Sequence, residues 1–484
     1  MEKKADVGLI GLAVMGENLV INMESKGFRV AVFNRTLEKV DKFLEGRAKG
    51  KNIIGVHTLE ELVDSLKRPR KVILLVKAGS PVDDYIDVLV NLLEEGDIII
   101  DSGNSYFKDT IRRTQYVESK GLLYVGTGIS GGEEGALKGP SLMPGGSDKA
   151  WPIVKDLFQA VAAKVNDGTP CCEWVGRDGA GHFVKMVHNG IEYGDMELIS
   201  EAYSLMKNIL ILSDDEISEV FSAWNKTELN SYLIEATSLI LKKKDEDGTP
   251  LVGKILDVAG QKGTGKWTCL ESLDEAVPLT LIAESVYSRF LSSLKEERTL
   301  ASSYYEHPSI MFDGDKLEMI EDIRRALLAS KIISYAQGFV LMRTAQKNYN
   351  WELNLGEIAL MWRGGCIIRS VFLDRIKDAF SKNPDLHNLI LDSYFHGLIP
   401  TLIPSMRNVI IVATKNGVSI PAFSSALCYF DGYTSKNLSA NLIQAQRDFF
   451  GAHTFERVDK KRGVFFHANW TGEGGETSAS TYNA

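Results

Sequence analysis

The chain has 484 residues, a length that argues for two or three domains rather than one. Apolar residues make up 44% and charged residues 25%, the balance of an ordinary globular protein and not of a fibrous or disordered one. The formal net charge of −9 argues against nucleic acid as a bulk partner, and means that any anionic ligand must be held by a local cluster of cations.

Five cysteines (Cys171, Cys172, Cys269, Cys366 and Cys428) show no metal-type spacing, and an odd number suits a reducing compartment. Eight scattered histidines give no zinc pattern, so no metal is expected. The charged start at residues 1–6 runs straight into strand-like residues, so no signal peptide is expected. No apolar run is read as reaching membrane-spanning length. Tyr482, Asn483 and Ala484 match neither of the common retention signals. Together these features predict a cytoplasmic protein with no membrane partner.

Residues 7–10 read as a strand, 11–16 as a tight Gly-rich turn, and 17–26 as a helix. Gly11 and Gly16 sit where a dinucleotide fingerprint needs its first and third glycines, and Ala13 takes the middle position. The expected contacts of this turn are Gly11, Leu12, Ala13, Val14, Met15 and Gly16. A second strand, 28–33, ends in Asn34-Arg35-Thr36. An NAD-selective site would carry an acid at this strand end. Arg35 instead offers a partner for a 2′-phosphate, which predicts NADP.

Further strands are expected at 71–76, 97–101 and 122–125, with helices between them such as 82–93. Alternating strands and helices predict a mostly parallel sheet covered on both faces, with ligands beyond the carboxyl ends of its strands. Those ends carry Val76-Lys77-Ala78, Asn104 and the run 128–132, whose Ser130, Gly131 and Gly132 offer a hydroxyl and backbone N–H groups to a carboxylate.

From residue 179 to about 445 the pattern is helical, with a capping box at Ser213 and Glu216 and a long amphipathic stretch at 319–341. On the helix entered at Gly181, Lys185, His188, Asn189, Glu192 and Tyr193 share one face, with Val184, Val187 and Ile191 on the other. A stripe of lysine, histidine, amide, acid and phenol without the usual spread of Glu and Lys reads as a ligand-facing wall. The glycine-rich loop 255–267 lacks Walker A spacing but places Lys262 for a phosphate. The run 446–453, with Arg447 and His453, is a second cation cluster, and beyond Trp470 the composition predicts a mobile tail.

Turn 11–16, strand end 34–36, loop 130–132, helix 185–193 and loop 255–267 occur together and in order. In this the chain resembles the 6-phosphogluconate dehydrogenase family along essentially its whole length, and loop 255–267 resembles that family's own signature. The turn, the Ser-Gly-Gly loop and the lysine are shared with the wider β-hydroxyacid dehydrogenases. The resemblance implies an α/β Rossmann-like NADP domain at 1–177, a large all-α substrate and dimerisation domain at 178–445, and a C-terminal tail at 446–484 that reaches the partner subunit of a homodimer. It implies oxidative decarboxylation of 6-phosphogluconate to ribulose 5-phosphate with NADP, in the pentose phosphate pathway. By the same resemblance Lys185 is the general base and Glu192 the general acid. Asn104, Ser130, Gly131, Gly132, His188 and Asn189 meet the sugar-acid end. Tyr193, Lys262, Arg289, Arg447 and His453 meet the phosphate end, the last two from the partner. Two alternatives stand beside this. A β-hydroxyacid dehydrogenase for another acid would lack the phosphate cations Lys262, Arg289 and Arg447. An inactive NADP-binding scaffold would have lost Lys185 or Glu192.

Overall fold

A computed structural model describes residues 4–306, 308, 312–474 and 477–479. The C-terminal residues 482–484 and part of the tail expected to be mobile lie outside these described residues. The chain divides into two compact units, Met1–Leu427 and Cys428–Ala484.

In the first unit, β-branched and aliphatic runs make the strands β1 (Val7–Ile10), β2 (Val30–Phe33), β3 (Ile53–Gly55), β4 (Lys71–Leu74), β5 (Ile98–Asp101), β6 (Leu123–Ser130), β7 (Ser141–Gly146) and β8 (Gly176–Arg177). They form one sheet in the order β3-β2-β1-β4-β5-β6-β7-β8. All neighbours run parallel except β6 and β7, which are antiparallel. Strands with both faces covered need apolar residues at every position. Val7–Ile10 accordingly has no exposed position. Two buried clusters flank the sheet, one built on Leu9, Val20 and Phe158 and the other on Ile10, Ile86 and Tyr124.

The sequence predicts a strand at 122–125, with the run 128–132 beyond its end. In the structure β6 continues to Ser130, and only Gly131 and Gly132 leave it, with φ of 121° and 61°. The correction has a packing cause. Helix α3 (Ala180–Asn208), which follows α1 (Val14–Ser25) and α2 (Phe107–Glu118), lies directly against β6 and β7. A Cβ on Gly128 would stand 2.3 Å from Lys185 Cβ, so this strand must be glycine-rich to admit the helix.

The helical part continues with α4 (Thr264–Asp274), α5 (Thr280–Ser293), α6 (Lys316–Asn348) and α7 (Ser393–Lys415). The Ser213–Glu216 capping box is formed as expected. Helix α3 is not two-faced in its first half: Val184, Val187 and Ile191 are buried, but so are Lys185, His188 and Asn189. One further correction concerns α7. At 23 residues and a mean hydropathy of 1.3 it is long and apolar enough to cross a membrane by length and composition, against the expectation that no run is. It contains Pro400 and Pro404 and packs on α6.

Helices α3 and α6 are joined in the interior by an ion pair between Lys331 and Asp195, both fully buried. Removing one member of such a pair strands the other charge out of water. Lys331→Met should therefore lower unfolding stability by roughly 3–5 kcal/mol, read from urea denaturation, whereas Lys331→Met with Asp195→Leu should recover most of the loss. A single variant as stable as the parent would contradict this role.

The second unit contains α8 (Ala440–Gly451) and a two-stranded antiparallel sheet of β9 (Phe455–Glu456) and β10 (Phe465–Phe466).

Candidate active site

A cavity of about 660 Å³ opens at the carboxyl ends of β1, β2, β4 and β5. Its wall includes Gly11, Leu12, Ala13, Val14 and Met15 from the turn, Asn34, Arg35 and Thr36 from the end of β2, and Val76, Lys77 and Asn104. Gly11 has φ of 113°, and a Cβ there would lie 2.4 Å from Leu75 O, so only glycine makes this turn. Asn34 Oδ1 accepts from Leu12 N at 3.0 Å, tying the end of β2 to the turn. Arg35 is exposed and has no ion-pair partner among the described residues, which leaves its guanidinium free for an anion. These features suit a dinucleotide with an additional phosphate. Two expected contacts, Gly16 and Ala78, do not line the cavity. Gly16 instead packs beneath the turn, where a Cβ would overlap Gly11 O. Sequence reasoning missed Lys39, Pro81 and Tyr85 on the same wall. Lys262, expected at a phosphate beyond the sugar acid, lines this cavity too.

Beneath Ser130 the first turns of α3 hold a cluster of buried polar groups. Lys185 is 6% exposed and donates from Nζ to Asn189 Oδ1 at 2.7 Å. Asn189 Nδ2 donates to Thr264 Oγ1 at the start of α4, 3.0 Å away, so the amide oxygen faces Lys185 and His188. His188 Nδ1 lies 3.0 Å from that oxygen, and Nε2 lies 3.0 Å from both Ser130 Oγ and Cys366 Sγ. A proton on Nδ1 satisfies the amide oxygen and leaves Nε2 to accept from the hydroxyl or the thiol. Glu192, one turn further on, approaches His188 Nδ1 with Oε2 at 3.8 Å and keeps some solvent access.

Burial sets the protonation of this cluster. It pulls Lys185 below the ordinary lysine value, against the opposing pull of Glu192. It pushes Glu192 above the ordinary carboxyl value, although Lys185 and Arg289 act the other way. His188 is driven well below its usual value by burial and by the Lys185 charge, and so remains neutral. Burial pushes the Cys366 thiol up to about 12, so it stays protonated. A lysine shifted towards its neutral amine beside a carboxyl shifted towards its acid is an arrangement suited to moving protons.

Tyr193, two turns along α3 from Lys185, has the Arg289 guanidinium of α5 stacked 3.5 Å above its ring. Arg289 Nη1 also donates to Gly260 O in the 255–267 loop, at 3.1 Å. The structure thus brings Ser130, Lys185, His188, Asn189 and Glu192 together, with Tyr193 and Arg289 paired nearby. Cys366 and Thr264 were not singled out from the sequence. Arg447 and His453 belong to the second unit. There Arg447 Nη1 donates to Gln444 Oε1 at 3.2 Å, and the ring of His453 meets that of Phe450.

Residues 6–176 match the NAD binding domain of 6-phosphogluconate dehydrogenase, and residues 181–470 match the C-terminal domain of 6-phosphogluconate dehydrogenase. The chain is 59% identical to the decarboxylating 6-phosphogluconate dehydrogenase of Ovis aries over 99% of this chain and 100% of that protein. It is 56% identical to the enzyme of the same name from Aggregatibacter actinomycetemcomitans, over the full length of both. Among solved structures, Plasmodium falciparum 6-phosphogluconate dehydrogenase, determined in apo form and with its cofactor NADP+ and its substrate 6-phosphogluconate, superposes with a TM-score of 0.93 at 47% identity, covering 96% of this chain and 100% of that one. The chain belongs to the 6-phosphogluconate dehydrogenase family.

Proposed function

We propose that this chain oxidises and decarboxylates 6-phosphogluconate to ribulose 5-phosphate and carbon dioxide, with reduction of NADP. The observation that carries the reading is the buried Lys185 and the half-buried Glu192 on one stretch of α3, with Lys185 shifted towards its neutral form and Glu192 towards its acid. NADP, when bound, supplies the hydride acceptor. In this reading the cavity wall around Arg35 holds it and Arg35 takes the 2′-phosphate, with Lys77 and Asn104 beside it. Domain 1–177 binds the cofactor, domain 178–445 binds substrate, and tail 446–484 serves the partner subunit.

Lys185 Nζ, as free amine, accepts the proton of the substrate's 3-hydroxyl while the hydride leaves that carbon. The resulting β-keto acid sheds its carboxylate as carbon dioxide because the bond electrons pass towards the new carbonyl, and the Lys185 ammonium supports the negative oxygen. Glu192 then delivers its proton to carbon 1 of the enediol. Ser130, Gly131, Gly132, His188 and Asn189 orient the sugar acid. Tyr193, Lys262 and Arg289, with Arg447 and His453 of a second copy, hold the phosphate. A homodimer is supported by uncovered apolar side chains on both units: Tyr287 and Leu291 on α5, and Leu442, Ile443, Phe449 and Phe450 on α8. Five free thiols suit the cytoplasm.

The direct assay incubates the protein with 6-phosphogluconate and NADP, following NADPH absorbance and released carbon dioxide. Lys185→Arg keeps the charge but cannot lose its proton near neutral pH. Both signals should then nearly vanish while NADP still binds. The parent should show a bell-shaped kcat/KM against pH. The rate rises as the lysine–glutamate pair loses its first proton and falls as it loses the second, both between 4.5 and 10.5, because the two ordinary values are shifted inwards. Substantial turnover by Lys185→Arg would show that another group is the base.

Cofactor choice has its own test. Arg35→Asp replaces a phosphate partner with a repelling charge. A charge-assisted hydrogen bond is worth about 1.5–3 kcal/mol, so NADP affinity should fall roughly ten- to hundredfold while NAD affinity changes little. Equal losses for both cofactors would remove Arg35 from the 2′-phosphate site.

A further inference from the structure

The second unit contains a carboxylate whose bonding the reaction does not explain. Asp448, on α8 next to Arg447, is fully buried. Its Oδ1 accepts from Thr454 N and His467 Nδ1, each at 2.9 Å. Its Oδ2 accepts from Ala468 N at 3.0 Å and Trp470 Nε1 at 2.8 Å. Burial opposes the negative charge, but the four donors outweigh it and hold the carboxyl below its ordinary value. The unit is small, so it is these gathered partners that cover Asp448 rather than a deep core. One side chain therefore fastens the end of α8, the 452–454 turn and the strand leading to Trp470.

The two expected phosphate contacts sit on either side of this knot. Arg447 precedes Asp448 in the chain, and His453 precedes Thr454, whose N–H the carboxylate binds. Ala452 and Thr454, the residues flanking His453, have φ of 49° and 56°, a left-handed conformation that non-glycine residues adopt at a cost. Strained backbone of this kind persists only where surrounding bonds over-determine it. Here those bonds are Asp448 to Thr454 N, Ala452 N to Asp448 O at 2.9 Å, and Gln444 Nε2 to Thr454 O at 2.5 Å. Gln444 also turns its amide oxygen to Arg447 Nη1. The same amide thus orients the guanidinium and anchors the turn that carries His453. His453 Nδ1 is buried and has no hydrogen-bond partner among the described residues.

We infer that Asp448, assisted by Gln444, is a positioning residue that presents Arg447 and His453 as a pre-formed clamp to the phosphate end of the partner subunit's substrate. This rests on the shared-site reading proposed above. Folding the clamp before substrate arrives spares binding the cost of ordering two side chains.

The test uses the full-length dimer. Asp448→Asn turns one of the two accepting oxygens into a donor that faces donors. It should raise the KM for 6-phosphogluconate roughly ten- to hundredfold, the loss expected when a charge-assisted contact is misplaced, while kcat and the KM for NADP move less than about threefold. A purely structural role would instead lower kcat with the folded fraction and leave both KM values unchanged, which would overturn the inference. Gln444→Leu leaves the carboxylate knot intact and should raise the same KM while the dimer stays folded. If Asp448→Asn does not fold, an unchanged KM in Gln444→Leu overturns the inference alone. The shared site is tested separately by exchanging subunits between inactive Lys185→Ala and Arg447→Ala proteins. Recovered activity is expected, because one site in each mixed dimer has an intact lysine and an intact partner arginine. Confirmed heterodimers that stay inactive would overturn the assignment across subunits, whatever the KM result.

Discussion

The cost of keeping the Lys185 ammonium out of water shapes the rest of the site. An ammonium buried beside a neutral histidine and an amide has little to compensate its lost hydration, so the neutral amine gains ground. Each neighbour adjusts to that imbalance. Asn189 offers one oxygen at 2.7 Å, enough to aim Nζ but not to neutralise it. The nearest carboxylate on the helix, Glu192, is itself pushed towards its acid form. A base and an acid with pKa values drawn towards each other come from one cause, shared burial on one helix.

That burial depends on features far from the reacting groups. Helix α3 can carry polar residues against a sheet only because β6 is made of small residues where the helix touches it: a Cβ added at Gly128 would stand 2.3 Å from Lys185 Cβ. Further along the helix, Asp195 meets Lys331 in full burial and fixes α3 against α6 at a point three residues beyond Glu192. The Cys366 thiol, held protonated, and the Ser130 hydroxyl both reach His188 Nε2. These two contacts orient the imidazole, which burial and the Lys185 charge keep neutral.

Much of this was legible in the chain, for physical reasons that can be named. The strands of the first half are short aliphatic runs between turn residues, and such runs have few other uses. The stripe on α3 stood out because its polar residues are not those of a solvated face. What escaped reading was long-range. The glycines of the run 128–132 signal a turn beyond the strand end, whereas Gly128 serves a crossing by a helix more than fifty residues later in the chain. Cys366 comes to His188 across 178 residues of sequence, with no local spacing to announce it. Lys262 lies on a loop whose composition suggests phosphate, but which cavity it enters is settled only by folding. The apolar character of α7 is hard to read in sequence because two prolines and scattered polar residues interrupt the run.

The most direct test of this account is a site-specific titration of Lys185 in the folded protein, by nitrogen or carbon resonance of labelled lysine with Lys185→Arg used to assign the signal. The account predicts a value below the ordinary 10.5, moving further down in Glu192→Gln, where the carboxylate that favours the ammonium is gone. A Lys185 that titrates at or above the ordinary value would contradict the claim that burial makes it the base.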